Sequence, residues 1–338
     1  MVLIGTSGYS FPDWVGPFYP PGTTRAGMLD YYVQQFPAVE VNATYYRIPP
    51  PPTLAAMERK TPAGFEFVVK ANAAMTHEGS ADPALYDSFR RAIEPVARAG
   101  KLSGLLAQFP WAFRRGAKEE EHLRAMKRLL PDAPLFVEFR HKSWIAEDVF
   151  QFLEREGLGY VSVDEPDLPG LVPPVARATT EAAYVRFHGR NRANWWASAR
   201  RERDAAAELA AAGPAAAQAT AAGPAIAGPA AGERDEEAPA RAAEPAPAYS
   251  TQGSLDLFGA GQVAEPPPRA RPAPPRVASS DRYDYLYSEQ ELREWAEKIR
   301  DLATKTKKTF VFFNNCHVGQ AAAGAKLMRR LLEGPGIL

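Results

Sequence analysis

Eight short apolar segments, separated by helix-like stretches or turns, set the strongest limit on how this chain can fold. They are Leu3–Ser7, Val39–Asn42, Glu66–Lys70, Leu105–Phe109, Leu135–Arg140, Tyr160–Asp164, Ala183–His188 and Thr309–Asn314. Each is short, rich in Val, Phe, Leu or Tyr, and followed by loop residues, the pattern of a buried strand. Helical periodicity is clearest over Arg25–Gln35, Pro83–Ala99, Glu119–Leu130, Glu147–Glu156, Glu289–Thr306 and Ala321–Leu332, and Ser288 with Glu291 is a capping box opening the fifth of these. Alternation of this kind predicts an α/β fold with a parallel sheet, closed into a TIM-barrel-like (β/α)8 cylinder. An open doubly wound sheet is the alternative. Its dinucleotide-binding version is weakened because no Gly-x-Gly-x-x-Gly follows the first segment.

The pattern is interrupted once. Composition changes sharply near Ala199 and recovers near Asp281. Between them Gly213-Pro214, Gly223-Pro224 and Gly228-Pro229 break any Ala-driven helix. Large apolar residues are nearly absent, so little burial offsets the entropy of ordering. Residues 199–280 are therefore expected to be a disordered Ala/Pro-rich insert, between a first barrel part at 1–198 and a last part at 281–338. Removing the insert from 338 residues leaves about 256, close to the roughly 250 typical of such barrels.

Side chains alternate across a strand with period two. Glu40 and Asn42 oppose Val39 and Val41; Glu138 and Arg140 oppose Val137 and Phe139; Ser162 and Asp164 oppose Val161 and Val163. Tyr184, Arg186 and His188 oppose Val185 and Phe187, and Phe312 and Asn314 oppose Val311 and Phe313. Lys70 and Gln108 end the third and fourth segments. If the apolar face meets the outer helices, the polar face points into the barrel, at the C-terminal strand ends where barrel enzymes place their chemistry. Charges there must be paired, and Glu40, Glu138 and Asp164 balance Lys70, Arg140 and Arg186. The bland alternative is a salt-bridge network that only fixes the barrel's register.

Five motifs in this frame carry a resemblance. Ile4-Gly5-Thr6-Ser7-Gly8-Tyr9, Glu40-Val41-Asn42-Ala43-Thr44-Tyr45-Tyr46-Arg47, Glu138-Phe139-Arg140-His141-Lys142-Ser143-Trp144, Arg186-Phe187-His188-Gly189-Arg190 and Phe313-Asn314-Asn315-Cys316-His317 together resemble the YecE-like family, domain of unknown function 72. The resemblance spans residues 1 to about 196 and 281 to 338, and implies a TIM-barrel-like fold without supplying a reaction.

The chemistry must then come from the residues. Lys70, Arg140 and Arg186, with Arg47 and His141 in adjoining loops, suit a phosphate or carboxylate. Glu138, Asp164 and His188 are the candidate acid–base groups. Tyr45, Tyr46 and Trp144 offer an apolar wall for a ring, and Glu40, Asn42, Gln108, Asn314 and Asn315 complete the expected substrate-binding set. No cofactor is expected. A metal site is disfavoured because the five histidines lack His-x-His or His-Glu-x-x-His spacing and the cations compete for the carboxylates. Cys316, the single cysteine, excludes a disulfide framework and reads as a small buried thiol.

Zero net charge removes the bulk argument for a nucleic-acid or membrane-surface partner. No apolar run reaches membrane-spanning length, and the first residues lack a signal peptide's basic start, so a cytoplasmic protein is expected. One peptide in the insert stands out: Gln252, Leu255, Leu257 and Phe258 form a Gln-x-x-Leu-x-Leu-Phe pattern amid polar and small residues. It resembles the peptide by which bacterial replication and repair proteins bind the DNA sliding clamp, with Gln252 hydrogen-bonding and the three apolar side chains filling a groove. The combined expectation is an enzyme, of hydrolase or lyase type, acting on a phosphorylated or nucleic-acid-related substrate and recruited to the clamp for DNA repair or replication-linked work. A sugar or phosphosugar enzyme and a non-catalytic adaptor are the alternatives.

Overall fold

A computed structural model describes residues 1–196 and 282–334. Eight parallel strands close into one barrel in sequence order: β1 (Val2–Ser7), β2 (Ala38–Val41), β3 (Glu66–Lys70), β4 (Leu102–Gln108), β5 (Leu135–Glu138), β6 (Leu158–Asp164), β7 (Ala182–Phe187) and β8 (Lys308–Phe313). Closure is made between β1 and β8, from Val2 opposite Thr309 to Thr6 opposite Phe313. Closing the cylinder removes the unpaired edges that an open sheet exposes. The expected insert at 199–280 and its peptide Gln252–Phe258 lie outside the described residues.

The α-helices of the described residues are α1 (Arg25–Tyr32), α2 (Ala43–Tyr46), α3 (Pro51–Arg59), α4 (Ala73–Thr76), α5 (Pro83–Arg98), α6 (Ala117–Leu129), α7 (Glu147–Glu156), α8 (Glu289–Lys305) and α9 (Gln320–Glu333). Thr24 and Asp82 accept backbone N–H groups at the starts of α1 and α5, and both halves of the Ser288–Glu291 capping box form at α8. Helix α3 was hidden in the Pro50-Pro51-Pro52 run. Pro at the first helical position loses no intrahelical hydrogen bond, so this run starts a helix rather than forbidding one.

The barrel interior is filled in layers. At the N-terminal end Lys308 of β8 reaches Glu66 of β3 at 2.6 Å, and Ser103 of β4 donates to the same carboxylate. Above it the rings of Phe136, Tyr184, Phe310 and Phe312 pack together, Phe136 lying 5.0 Å from Tyr184 and 6.1 Å from Phe310. Two glycines make room: a Cβ on Gly104 or Gly159 would fall 2.4 Å from the Phe136 ring. The layer nearest the C-terminal mouth is polar.

One strand departs from the expected parity. Asp164 of β6 accepts from Trp295 Nε1 of α8 at 2.6 Å, from Tyr287 Oη at 2.6 Å, and from Arg190 at 2.7 Å. Its carboxylate therefore belongs to the layer between the barrel wall and α8. Ser162 likewise bonds the loop backbone at Arg177. Three donors from the outer layer draw this carboxylate outward, and Val161 and Val163 are compact enough to face the crowded interior.

Candidate functional site

The strands project a buried ion network across the mouth. Arg186 of β7 donates to Glu40 of β2 and to Glu138 of β5, both at 2.6 Å. None of these three strands neighbours another in the sheet, so the bonds cross the cylinder. Tyr184 Oη donates to the second oxygen of Glu40 at 2.6 Å. Arg140, just beyond β5, pairs with Glu138 at 2.9 Å and with Glu165 at 2.8 Å. Glu40, Glu138, Arg140 and Arg186 are all nearly inaccessible. Two guanidiniums thus neutralise two central carboxylates in place, as buried charges require.

The pairing moves the titrations. Burial raises the Glu138 pKa, but Arg186 and Arg140, then His188, outweigh it and hold the carboxyl well below its usual range. Burial, reinforced by Arg140, keeps the His188 imidazole neutral despite the opposing pull of Glu138. Its Nδ1 faces Asn314 Nδ2 at 3.1 Å and its Nε2 faces Glu138 at 3.1 Å. With the Asn314 amide donating, Nδ1 accepts and Nε2 carries the proton toward Glu138. Burial pushes Glu165 up to about 8 against the pull of Arg140.

A narrow pocket opens above this network. Asn42, Tyr45, Tyr46 and Lys70 line one part, and Gln108, Arg186, Tyr283 and Asn314 complete it. Lys70 Nζ donates to Gln108 Oε1 at 2.7 Å and stands 4.3 Å from the centre of the Tyr45 ring. Burial first, and then Arg186, lowers its pKa to about 7, while Glu138 and Glu40 partly oppose the shift. Two buried atoms on this pocket's residues, Asn42 Oδ1 and Arg186 Nε, have no hydrogen-bond partner among the described residues.

Asn42, Tyr45, Tyr46, Lys70, Gln108, Arg186 and Asn314 of the expected set therefore meet at the pocket. Glu40, Glu138, Arg140 and His188 form the network joined to it. The others sit elsewhere. Asp164 is held on the α8 side, and Trp144 is buried in a stack with Phe139 at 4.2 Å and Phe113 at 5.4 Å. His141 accepts from the Ser143 backbone, Arg47 is exposed after α2, and Asn315 donates to the Tyr285 carbonyl. Cys316 is buried, its thiol donating to the Ser7 carbonyl at 3.3 Å.

Several contributors escaped the sequence reading. Tyr283 lines the pocket, with its ring 6.3 Å from that of His188. Arg282 lies over Tyr283 at 5.2 Å and over Trp195 at 5.7 Å. The signal available was the aromatic and basic cluster Arg282-Tyr283-Asp284-Tyr285, where ordinary composition resumes. Glu165 was hidden behind the adjacent Asp164, which fitted the strand alternation.

The family described as a protein of unknown function, DUF72, matches over residues 3–252 and 261–336. The chain belongs to the DUF72 family. It is 28% identical over 345 residues to the UPF0759 protein YunF of Bacillus subtilis strain 168, covering 98% of this chain and 95% of that one. A crystal structure of a DUF72 protein from Thermotoga maritima is 34% identical, with a TM-score of 0.70 and coverage of 98% of this chain and 99% of that one. A DUF72 protein from Enterococcus faecalis, 21% identical, shares the fold with a TM-score of 0.68, each chain covered completely. Among the described residues of this DUF72 protein, no helix is long and apolar enough to cross a membrane.

Proposed function

We propose that this DUF72 barrel is an enzyme that receives the anionic end of a small phosphorylated or nucleic-acid-related substrate at its C-terminal mouth. One observation carries the reading: Arg186 Nε, a buried donor, and Asn42 Oδ1, a buried acceptor, have no hydrogen-bond partner among the described residues, and both residues line the same pocket as Lys70. Buried polar atoms are nearly always satisfied, so two such atoms in one pocket favour a ligand there. Anion capture narrows to Lys70 and the Nε–H of Arg186, because Arg140 is spent on Glu138 and Glu165. Among the groups lining the pocket, Lys70 is also the one whose pKa, lowered to about 7, suits proton transfer near neutral pH. Glu138 and His188 act behind it, holding Arg186 and Asn314 in place.

The test is thermal melting with inorganic phosphate, ribose 5-phosphate and a deoxynucleoside monophosphate. A ligand that binds only the folded chain raises its melting temperature with concentration. The expected result is such a rise for the parent and a smaller one for Asn42→Ala. If none of the three raises the parent's melting temperature, the anion reading fails.

Recruitment to the bacterial sliding clamp rests on the peptide Gln252, Leu255, Leu257 and Phe258, whose resemblance to clamp ligands supports it. Tethering there would raise the enzyme's effective concentration near DNA without a basic surface. A fluorescence titration with the clamp compares the parent chain with Gln252→Ala/Phe258→Ala. Equal binding by both removes the recruitment idea.

A further inference from the structure

Lys70 is set apart from its neighbours in the mouth layer. Arg140 and Arg186 each contact two carboxylates, whereas Lys70 has no carboxylate within ion-pair distance among the described residues. Its amine meets an amide oxygen of Gln108 at 2.7 Å and the face of Tyr45, and only 6% of the residue is exposed. An ammonium needs more compensation than an amide and a ring provide, while a neutral amine is at home there. The charged groups acting on it are Arg186 and Arg140, which repel a proton, and Glu138 and Glu40, which attract one. The nearby His77 imidazole is itself kept neutral, by burial and then by Lys70 and Arg140.

We propose that Lys70 is a nucleophilic amine that captures a small aldehyde or ketone in the pocket as a Schiff base. This rests on the pocket being the active site, and it gives the substrate class there: a compact carbonyl compound, with the Arg186 guanidinium at the same pocket for an anionic end. The Nζ lone pair forms the new C–N bond as the C=O π pair moves to oxygen. Both amine protons then leave with that oxygen as water, and the nitrogen lone pair closes the C=N bond. Asn42 and Asn314 supply amide groups at the same pocket to hold the carbonyl oxygen and the departing water. Such an imine is the covalent form in which a lysine amine activates a carbonyl compound.

The experiment incubates the full chain at pH 7 with glycolaldehyde, glyoxylate or dihydroxyacetone phosphate, adds sodium borohydride, and maps the modified peptides by mass spectrometry. Borohydride supplies the hydride that turns the imine into a stable secondary amine. The expected result is an adduct on Lys70 at least about tenfold more abundant than on an exposed lysine such as Lys305, since exposed lysines are almost wholly protonated at that pH. Lys70→Arg should abolish the selective adduct, and the map of the parent alone decides if that variant does not fold. Adducts confined to surface lysines, with the Lys70 peptide unmodified, overturn the proposal. If phosphates raise the parent's melting temperature and Lys70 remains unmodified, the Schiff base is lost and the anion pocket survives. If Lys70 is trapped and no phosphate binds, the Schiff base stands and the anion reading is lost.

Discussion

Replacing Arg186 with methionine removes the cation that joins three strands across the barrel. Its two terminal nitrogens each lie 2.6 Å from a carboxylate, one on Glu40 and one on Glu138, and the residue is 1% exposed. At an effective dielectric near 20, each charge pair about 4 Å between centres is worth roughly 4 kcal/mol before the cost of dehydration. Dehydration takes back much of that, but removing one partner leaves the other charges buried and uncompensated. Breaking a buried pair of this kind costs about 3–5 kcal/mol. Glu138 retains Arg140, while among the described residues the Glu40 carboxylate keeps only the Tyr184 hydroxyl as a hydrogen-bond partner. The expectation is therefore a loss of about 4 kcal/mol in urea unfolding, or a fall of roughly 10 °C in the melting temperature. Adding Glu40→Gln to Arg186→Met should recover about 1–2 kcal/mol, because residues in one network couple. An Arg186→Met chain within about 1 kcal/mol of the parent, or a strictly additive cycle, would refute the view that this network holds the barrel together.

Two further predictions concern the interior. Lys70 has a folded pKa of about 7 against an ordinary 10.5, so between those values the unfolded chain holds a proton that the folded chain lacks and stability rises with pH. Lys70→Met should be more stable than the parent at pH 7, and urea curves should show that advantage shrinking by about 2 kcal/mol by pH 9; a constant difference would show that Lys70 titrates normally. Gly159→Ala places a methyl 2.4 Å from the Phe136 ring and should cost about 1–3 kcal/mol, with Phe136→Leu in the same chain restoring part of the loss; unchanged melting of Gly159→Ala would mean that the layer is not close-packed there.

Most of the barrel was legible because strand period and hydrophobicity agree in β2, β5, β7 and β8. Glu40, Glu138, Arg186 and His188 share an interior because each alternates with Val or Phe that meets the outer layer. The same rule misplaced Asp164. A polar side chain faces wherever donors await it, and the donors here, Trp295, Tyr287 and Arg190, belong to α8 and the segments around it. Nothing local to β6 reveals them. Tyr283 and Arg282 were illegible for a related reason: some 80 residues of different composition separate them from the strand whose mouth they cover. The position of Lys70 was readable, but its pairing with an amide instead of a carboxylate was not. That follows only from how Arg140 and Arg186 divide Glu40, Glu138 and Glu165 between them.

This division ties the network that secures the strands to the pocket above it. Arg186 spends Nη1 on Glu138 and Nη2 on Glu40, which fixes it in the barrel, while its buried Nε has no hydrogen-bond partner among the described residues. Held in that position, its charge also lowers the proton affinity of Lys70, second only to burial itself. A guanidinium tied down less firmly would swing toward the lysine's own neighbours or toward water, and its effect on the amine would be screened. The ion pairs that secure the strands thus also keep a fixed positive charge beside a nearly dry amine. Perturbed amines arise where burial and like charge are both imposed by structure, and the mouth of this barrel imposes both on one residue.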